Sequence, residues 1–402
     1  MDVTGIDHAR ALDAADPLAG YRSRFLIPDP SFVYLDGNSL GRPPIAAIEA
    51  VQAVVREAWP GDLIRGWDRW LDAPLRAGDL LATGVLGARP GEVAVTDSTT
   101  VNLYRLAVAA LDARPDRRAV AISRSEFPTD RYVVEGLAAA RGLEIRWLEP
   151  DPVDGVALAD VEGVADADLA LVVLSHVNYR SAAIADLEGI TGVARRCGAL
   201  VIWDLSHAAG SIPVDLEARG ADLAVGCTYK YLNGGPGAPG YLYVSRRLHG
   251  ELRPPIQGWF AQAEQFEMGP VFRPRDGIAG WLVGTPGIVG LAAVEAGIAL
   301  TAEAGIDAIR AKGMALTAYA IELLDAWIAP LGGSVGSPRD PRRRGAHVAV
   351  RQPDARQLVS GLMERGVATD FRAPDSVRLG LSPLTTSFEE VRRAVQVIRE
   401  LL

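Results

Sequence analysis

Between residues 98 and 245, short uninterrupted apolar runs alternate with longer helix-patterned segments. The runs cover 119–122, 143–148, 169–174, 200–203, 223–225 and 241–244. Helical patterns fill 99–112, 129–141 and 186–197. Most of these runs are too apolar to alternate, as strands buried on both faces are. Strands spaced by helices predict an α/β domain with a mostly parallel sheet covered on both sides. The pattern then changes. A helical stretch begins near residue 287 and runs, with breaks, to about 327. Beyond it, strand patterns at 347–350 and 377–381 mix with amphipathic patterns at 357–365 and 388–402. This predicts a smaller C-terminal α+β domain. The first 45 residues hold turn chemistry at Pro28-Asp29-Pro30 and Asp36-Gly37-Asn38 around an apolar run, 32–35. They read as an ordered arm. The expected division is an arm at 1–50 contributing to the small domain, a large domain at 51–295 and the small domain at 296–402.

Composition excludes several functions. The formal net charge is −9 over 402 residues, which argues against a nucleic-acid partner. The longest apolar run, 287–306, carries Glu295 and Glu303, so no membrane span or membrane partner is expected. No secretory signal is visible at the start of the sequence. Cys197 and Cys227 make neither a disulfide framework nor a metal site, and a reduced, cytoplasmic setting is the default. His8, His249 and His347 have no partner spacing that suggests a metal. The basic run 337–345, SPRDPRRRG, reads as a solvated turn.

Only two of the 41 basic residues are lysines, Lys230 and Lys312. A chain that writes positive charge as arginine keeps a lysine where chemistry needs an amine that can lose its proton. Lys312 lies in a plain helical pattern and reads as incidental. Lys230 does not. The apolar run 200–203 ends in Asp204, His207 follows three residues later, and Lys230 comes after a further apolar run. Tyr229 precedes it and a glycine-rich turn follows. Residues just past the carboxyl ends of such strands line the ligand crevice of an open α/β sheet. The layout suits pyridoxal 5'-phosphate, which needs a lysine for its aldehyde and a carboxylate facing its ring nitrogen. Ser98, Thr99 and Thr100 precede a helical pattern whose N–H groups can cradle a phosphate.

WDLSHAAG and TYKYLNGGPGAPG resemble the class V branch of fold-type I pyridoxal-phosphate enzymes. YLDGNSLGRPP, SEFPTD, LSHVNYRS, GWF and VGTPGIVGL follow in the order of the matching kynureninase segments, over nearly the whole chain. The resemblance implies a fold-type I enzyme that hydrolyses L-kynurenine, or its 3-hydroxy form, to an anthranilate and L-alanine. It implies a place in tryptophan catabolism or NAD biosynthesis, and a homodimer with shared active sites. Lys230 would carry the cofactor and remove the α proton, Asp204 would pair with the ring nitrogen, and His207 would lie close by. Phe127 would stack on the ring, with Asp130 holding the FPTD turn. Thr99, Thr100, Ser175 and Tyr229 would reach the phosphate, joined by Trp259 and Thr285 from a partner subunit. Arg378 would grip the substrate carboxylate, and Trp67 and Gly284 would line the substrate pocket. Tyr229 is the candidate for late proton transfers. A class V aminotransferase or epimerase acting on another amino acid would keep the same cofactor set. A cysteine desulfurase would need a thiol in the later third, where none occurs.

Overall fold

The computed structural model describes residues 2–402. A short strand, β1 (Val33–Tyr34), is followed by seven strands that form one sheet. They are β2 (Val93–Val95), β3 (Ala119–Ser123), β4 (Glu144–Leu148), β5 (Leu169–Ser175), β6 (Leu200–Asp204), β7 (Leu223–Gly226) and β8 (Tyr241–Val244). Their order is β2-β8-β7-β6-β5-β3-β4. All neighbours are parallel except β8, which runs antiparallel to both β2 and β7. The expected α/β sheet is therefore present, and its central strands are buried along nearly their whole length. Two apolar cores lie against it, one containing Val172, Leu174 and Trp203, the other Leu171, Val173 and Ile202. Successive residues of β5 thus feed opposite cores, which explains the unbroken apolar runs.

Helices Thr99–Asp112, Pro128–Arg141 and Leu187–Cys197 fill the intervals where helical patterns stand. The pattern from 287 onward resolves into two helices, Ile288–Ala304 and Ile306–Trp327, bent by 80°. Gly305 makes the corner at φ +79°, a conformation that costs an L side chain strain. Among the described residues no single helix is long and apolar enough to cross a membrane.

The remaining strands are β9 (Ser334–Val335), β10 (His347–Arg351), β11 (Val367–Ala368), β12 (Asp370–Arg372) and β13 (Ser376–Gly380). Four make an antiparallel sheet in the order β12-β13-β10-β9. The fifth, β11, pairs in parallel with β1. Ala9, Val33 and Leu35 share a third core with Val348, Val377 and Ile398, so the start of the chain packs beside its end. Arg344, from the basic run read as a solvated turn, is instead buried. It donates to the carbonyls of Pro338 and Arg339 and to Thr317.

Lys312 is not incidental. Its Nζ lies 2.6 Å from Asp16 Oδ2, with both side chains almost wholly buried. The pair ties the second long helix to the N-terminal arm. Lys312→Met alone leaves Asp16 buried and unpaired, and should cost about 3–5 kcal/mol in denaturant unfolding. Lys312→Met with Asp16→Leu should recover most of that loss. A single variant as stable as the parent would show that the pair is not buried in solution.

Candidate active site

The carboxyl ends of β5 and β6 lie side by side, with Ser175 in register with Asp204. A cavity of about 140 Å³ opens there. Thr99, Thr100, Phe127, Asp130, Ser175, Asp204, His207, Tyr229 and Lys230 all line it. These nine predicted residues come from five separate stretches of the chain. Thr129, Tyr179 and Ser206 line it too and were not foreseen. Thr129 and Tyr179 sit inside the FPTD and HVNYR motifs, so their proximity could have been read from the same segments.

Lys230 Nζ stands 3.0 Å from His207 Nε2. Burial, and then the Lys230 charge, push the His207 imidazole well below its usual range. The ring is therefore neutral, accepts from Lys230 at Nε2 and carries its proton on Nδ1. That Nδ1 is buried without a partner. The His347 ring packs 5.5 Å from it, also held low, at about 3, by burial.

Opposite the amine, three carboxyls are buried together. Asp204 Oδ1 accepts from the Ser206 backbone N–H at 2.7 Å. Burial, then the neighbouring Asp204 charge, push Asp130 far above the carboxylate range. Its Oδ2 has no partner. Glu126 is pushed up to about 7 by burial, and it accepts from the Ser175 hydroxyl. Ser175 thus stands beside Asp204 with its hydroxyl committed, rather than free to meet a phosphate. Glu126 was not singled out from the sequence; nothing in SEFPTD shows that it faces inward.

The anion cradle is at the other side. Ser98 caps helix Thr99–Asp112, its Oγ accepting from Val101 N–H at 3.3 Å. Thr99 and Thr100 therefore lie in the first turn, with hydroxyls not used as the cap. A Cβ at Gly240 would meet Thr99 N at 2.9 Å, so only glycine lets β8 approach this terminus. Phe127 faces the cavity and meets the Tyr179 ring edge-on at 5.4 Å. The Cys227 thiol and burial raise the Tyr229 phenol, which keeps its proton.

The other predicted residues do not line this cavity. Trp259, Gly284 and Thr285 are exposed. Trp67 is half-buried and packs edge-on against Trp70 and Phe260. Arg378 is 1% exposed, and its fork is filled by Asp370. It touches the cavity wall through the Tyr179 carbonyl, which accepts from Nη1 at 2.6 Å.

Known proteins share this architecture. A cysteine desulfurase from Thermococcus onnurineus superposes with a TM-score of 0.79 at 20% identity, covering 92% of this chain and 94% of that one. The cysteine desulfurase CsdA of Escherichia coli gives 0.80 at 20%, covering 96% and 99%. C-DES, solved with glycine covalently linked to its pyridoxal-phosphate cofactor, gives 0.80 at 20%, covering 92% and 99%. The fold is that of the fold-type I pyridoxal-phosphate enzymes.

Sequence narrows the class. Residues 309–398 match the kynureninase C-terminal domain family. Kynureninase from Pseudomonas fluorescens is 42% identical over 98% of this chain and 94% of its own length. That of Burkholderia pseudomallei is 41% identical, over 98% and 95%. The chain belongs to the kynureninase family.

Glu126 titrates unlike an ordinary glutamate. Its raised pKa means the fold holds a proton that the unfolded chain gives up from about pH 4.5. Its stabilising contribution is full below that pH and is lost as pH rises towards about 7. Glu126→Gln should therefore flatten the fall in Tm between about pH 5 and 8. Melts of the cofactor-free chain across that range check it, and an unchanged slope would place the titration elsewhere.

Proposed function

We propose that the chain is a pyridoxal 5'-phosphate-dependent hydrolase that cleaves the Cβ–Cγ bond of L-kynurenine. L-kynurenine and water give anthranilate and L-alanine. One observation carries the reading: an amine, a buried carboxylate cluster and a helix N-terminus face one cavity. Membership of the kynureninase family selects the substrate. No feature favours an aminotransferase or epimerase.

The residues fit the cofactor. Lys230 would hold its aldehyde carbon, and Thr99, Thr100 and the helix N-terminus would take the phosphate. Asp204 would face the ring nitrogen. Asp130 and Glu126, both pushed towards their neutral forms, mark a place where negative charge outruns its partners. A protonated ring nitrogen is a cation of the right kind for it. When bound, the cofactor supplies an electron sink for charge at the substrate α carbon.

The chain's own residues do the rest. Lys230 Nζ would serve as the base for the α proton. Neutral His207 orients that amine and adds no competing charge. Asp130, pushed towards its neutral form, adds no second charge beside Asp204. Phe127 covers one side of the cavity and limits access of water. Tyr229 keeps its phenolic proton and is a donor for the departing carbon. Arg378 binds the substrate α-carboxylate, a task suited to a planar fork.

The site extends to a second copy of the chain. Trp259 is 43% exposed, Phe266 63% and Met268 71%, and they lie apart from the cavity. Large apolar groups exposed in this way mark an interface. In a homodimer, Trp259 and Thr285 would complete the partner's phosphate site. A 1–50 arm, a 51–295 large domain and a 296–402 small domain remain the working division. The two free thiols, Cys197 and Cys227, accord with a cytoplasmic setting.

Kynurenine and 3-hydroxykynurenine, assayed side by side without a keto-acid acceptor, test the reaction. Anthranilate fluorescence is expected, and turnover that requires an acceptor would replace the hydrolase with a transferase. Lys230→Ala should abolish turnover in a folded protein, and Asp204→Asn should bind cofactor yet lose about 10²-fold or more in kcat. Near-normal rates in either would displace that residue. Arg378→Ala should act chiefly on KM, raising it about 10-fold or more, while an unchanged KM would mean the carboxylate docks elsewhere.

A further inference from the structure

Arg378 sits on β13 directly opposite Asp370 on β12. Its Nε donates to Asp370 Oδ1 at 2.7 Å, and its Nη2 donates to Oδ2 of the same carboxylate. This is the paired geometry in which a guanidinium binds a free carboxylate. Nη2 also reaches Ser39 Oγ at 3.0 Å, and Nη1 reaches the Tyr179 carbonyl. Four of its five N–H groups are thus engaged, including both on the edge that pairs with a carboxylate. A carboxylate can take that paired edge only if Asp370 yields.

Asp370 has somewhere to go. Arg372, two residues on and on the same face of β12, places Nη2 2.6 Å from Asp370 Oδ2. Arg372 Nε is buried with no partner. Two arginines thus share one aspartate, and the second holds an unused donor. The Asp370 side chain can leave one fork and close on the other without becoming an unpaired buried charge.

We propose that Asp370 stands in for the substrate carboxylate, holding the Arg378 fork until an amino acid displaces it onto Arg372. The inference rests on the reading of Arg378 given above and makes Asp370 and Arg372 positioning residues. The buried fork stays satisfied at every stage, and an amine without a carboxylate cannot trigger the exchange. Selectivity for α-amino acids over amines then comes from a swap of like for like.

The test uses the holoenzyme and two probes, L-alanine and L-alaninamide, which lacks the carboxylate. Kd values come from the change in cofactor absorbance. Asp370→Asn removes the internal competitor and should tighten alanine about 5-fold, with alaninamide unmoved. Arg372→Gln removes the receiving fork and should weaken alanine about 10-fold. In the Asp370→Asn background, Arg372→Gln should change Kd less than about 2-fold, because nothing remains to hand over. A purely structural ion cluster gives the opposite sign for Asp370→Asn, or shifts both probes alike, and either result overturns the proposal. Arg372 is partly exposed, so its single variant decides the case if the aspartate variant folds poorly. Equal binding of both probes by the parent overturns the Arg378 reading as well. Selective binding that vanishes in Arg378→Ala, with additive effects at 370 and 372, overturns only the handover.

Discussion

Three carboxyl groups buried beside one lysine set the terms for everything around them. Ionised carboxylates out of water are costly, and a protein answers by protonating them or by giving them a cation. Asp130 and Glu126 are pushed towards the first course, and Asp204 lines the cavity beside them. The sheet makes this possible. Parallel strands buried on both faces end in a crevice where backbone N–H groups, such as that of Ser206, are free to support a charge. His207 stays neutral for the same reason that Asp130 does: the surroundings are dry, and Lys230 already carries the positive charge.

The second constraint is on arginine. Arg378 is about as buried as the apolar residues of its strand, and it survives there because three segments of the chain supply partners. Asp370, Ser39 and the Tyr179 carbonyl bond it directly, while Asn38 and Arg372 crowd the same spot. A buried guanidinium so fully held is a rigid instrument. Its fork is matched in shape and charge by the internal carboxylate of Asp370.

Much of this was legible in the sequence. The runs at 119–122, 169–174 and 200–203 became β3, β5 and β6 because burial on both faces leaves an unbroken apolar record. Asp204, His207 and Lys230 converge because each follows a strand end. Other features left no local trace. β2 is three residues long and has no period to detect. The corner at Gly305 lies inside a continuous apolar pattern, so only its glycine hints at the bend. Lys312 reads as incidental until Asp16, nearly 300 residues earlier, is seen beside it. Glu126 sits in a quoted motif, yet its inward turn depends on Ser175 from another strand. The exposed positions of Trp259 and Thr285 describe one copy of the chain, while the resemblance assigns them to a partner's site.

The parallel pairing of β1 with β11 has a temporal side. Val33 meets Val367, and Ser39 meets Arg378, so segments made early in translation wait for segments made near its finish. Such distant pairings form late, because a long loop must close before they hold. The nascent chain on the ribosome can complete the cavity lined by residues 99–230 well before it can complete the Arg378 cluster. On the role proposed for Arg378, recognition of the acid group is thus the last faculty this polypeptide acquires, and products of interrupted synthesis that lack β13 have none of it.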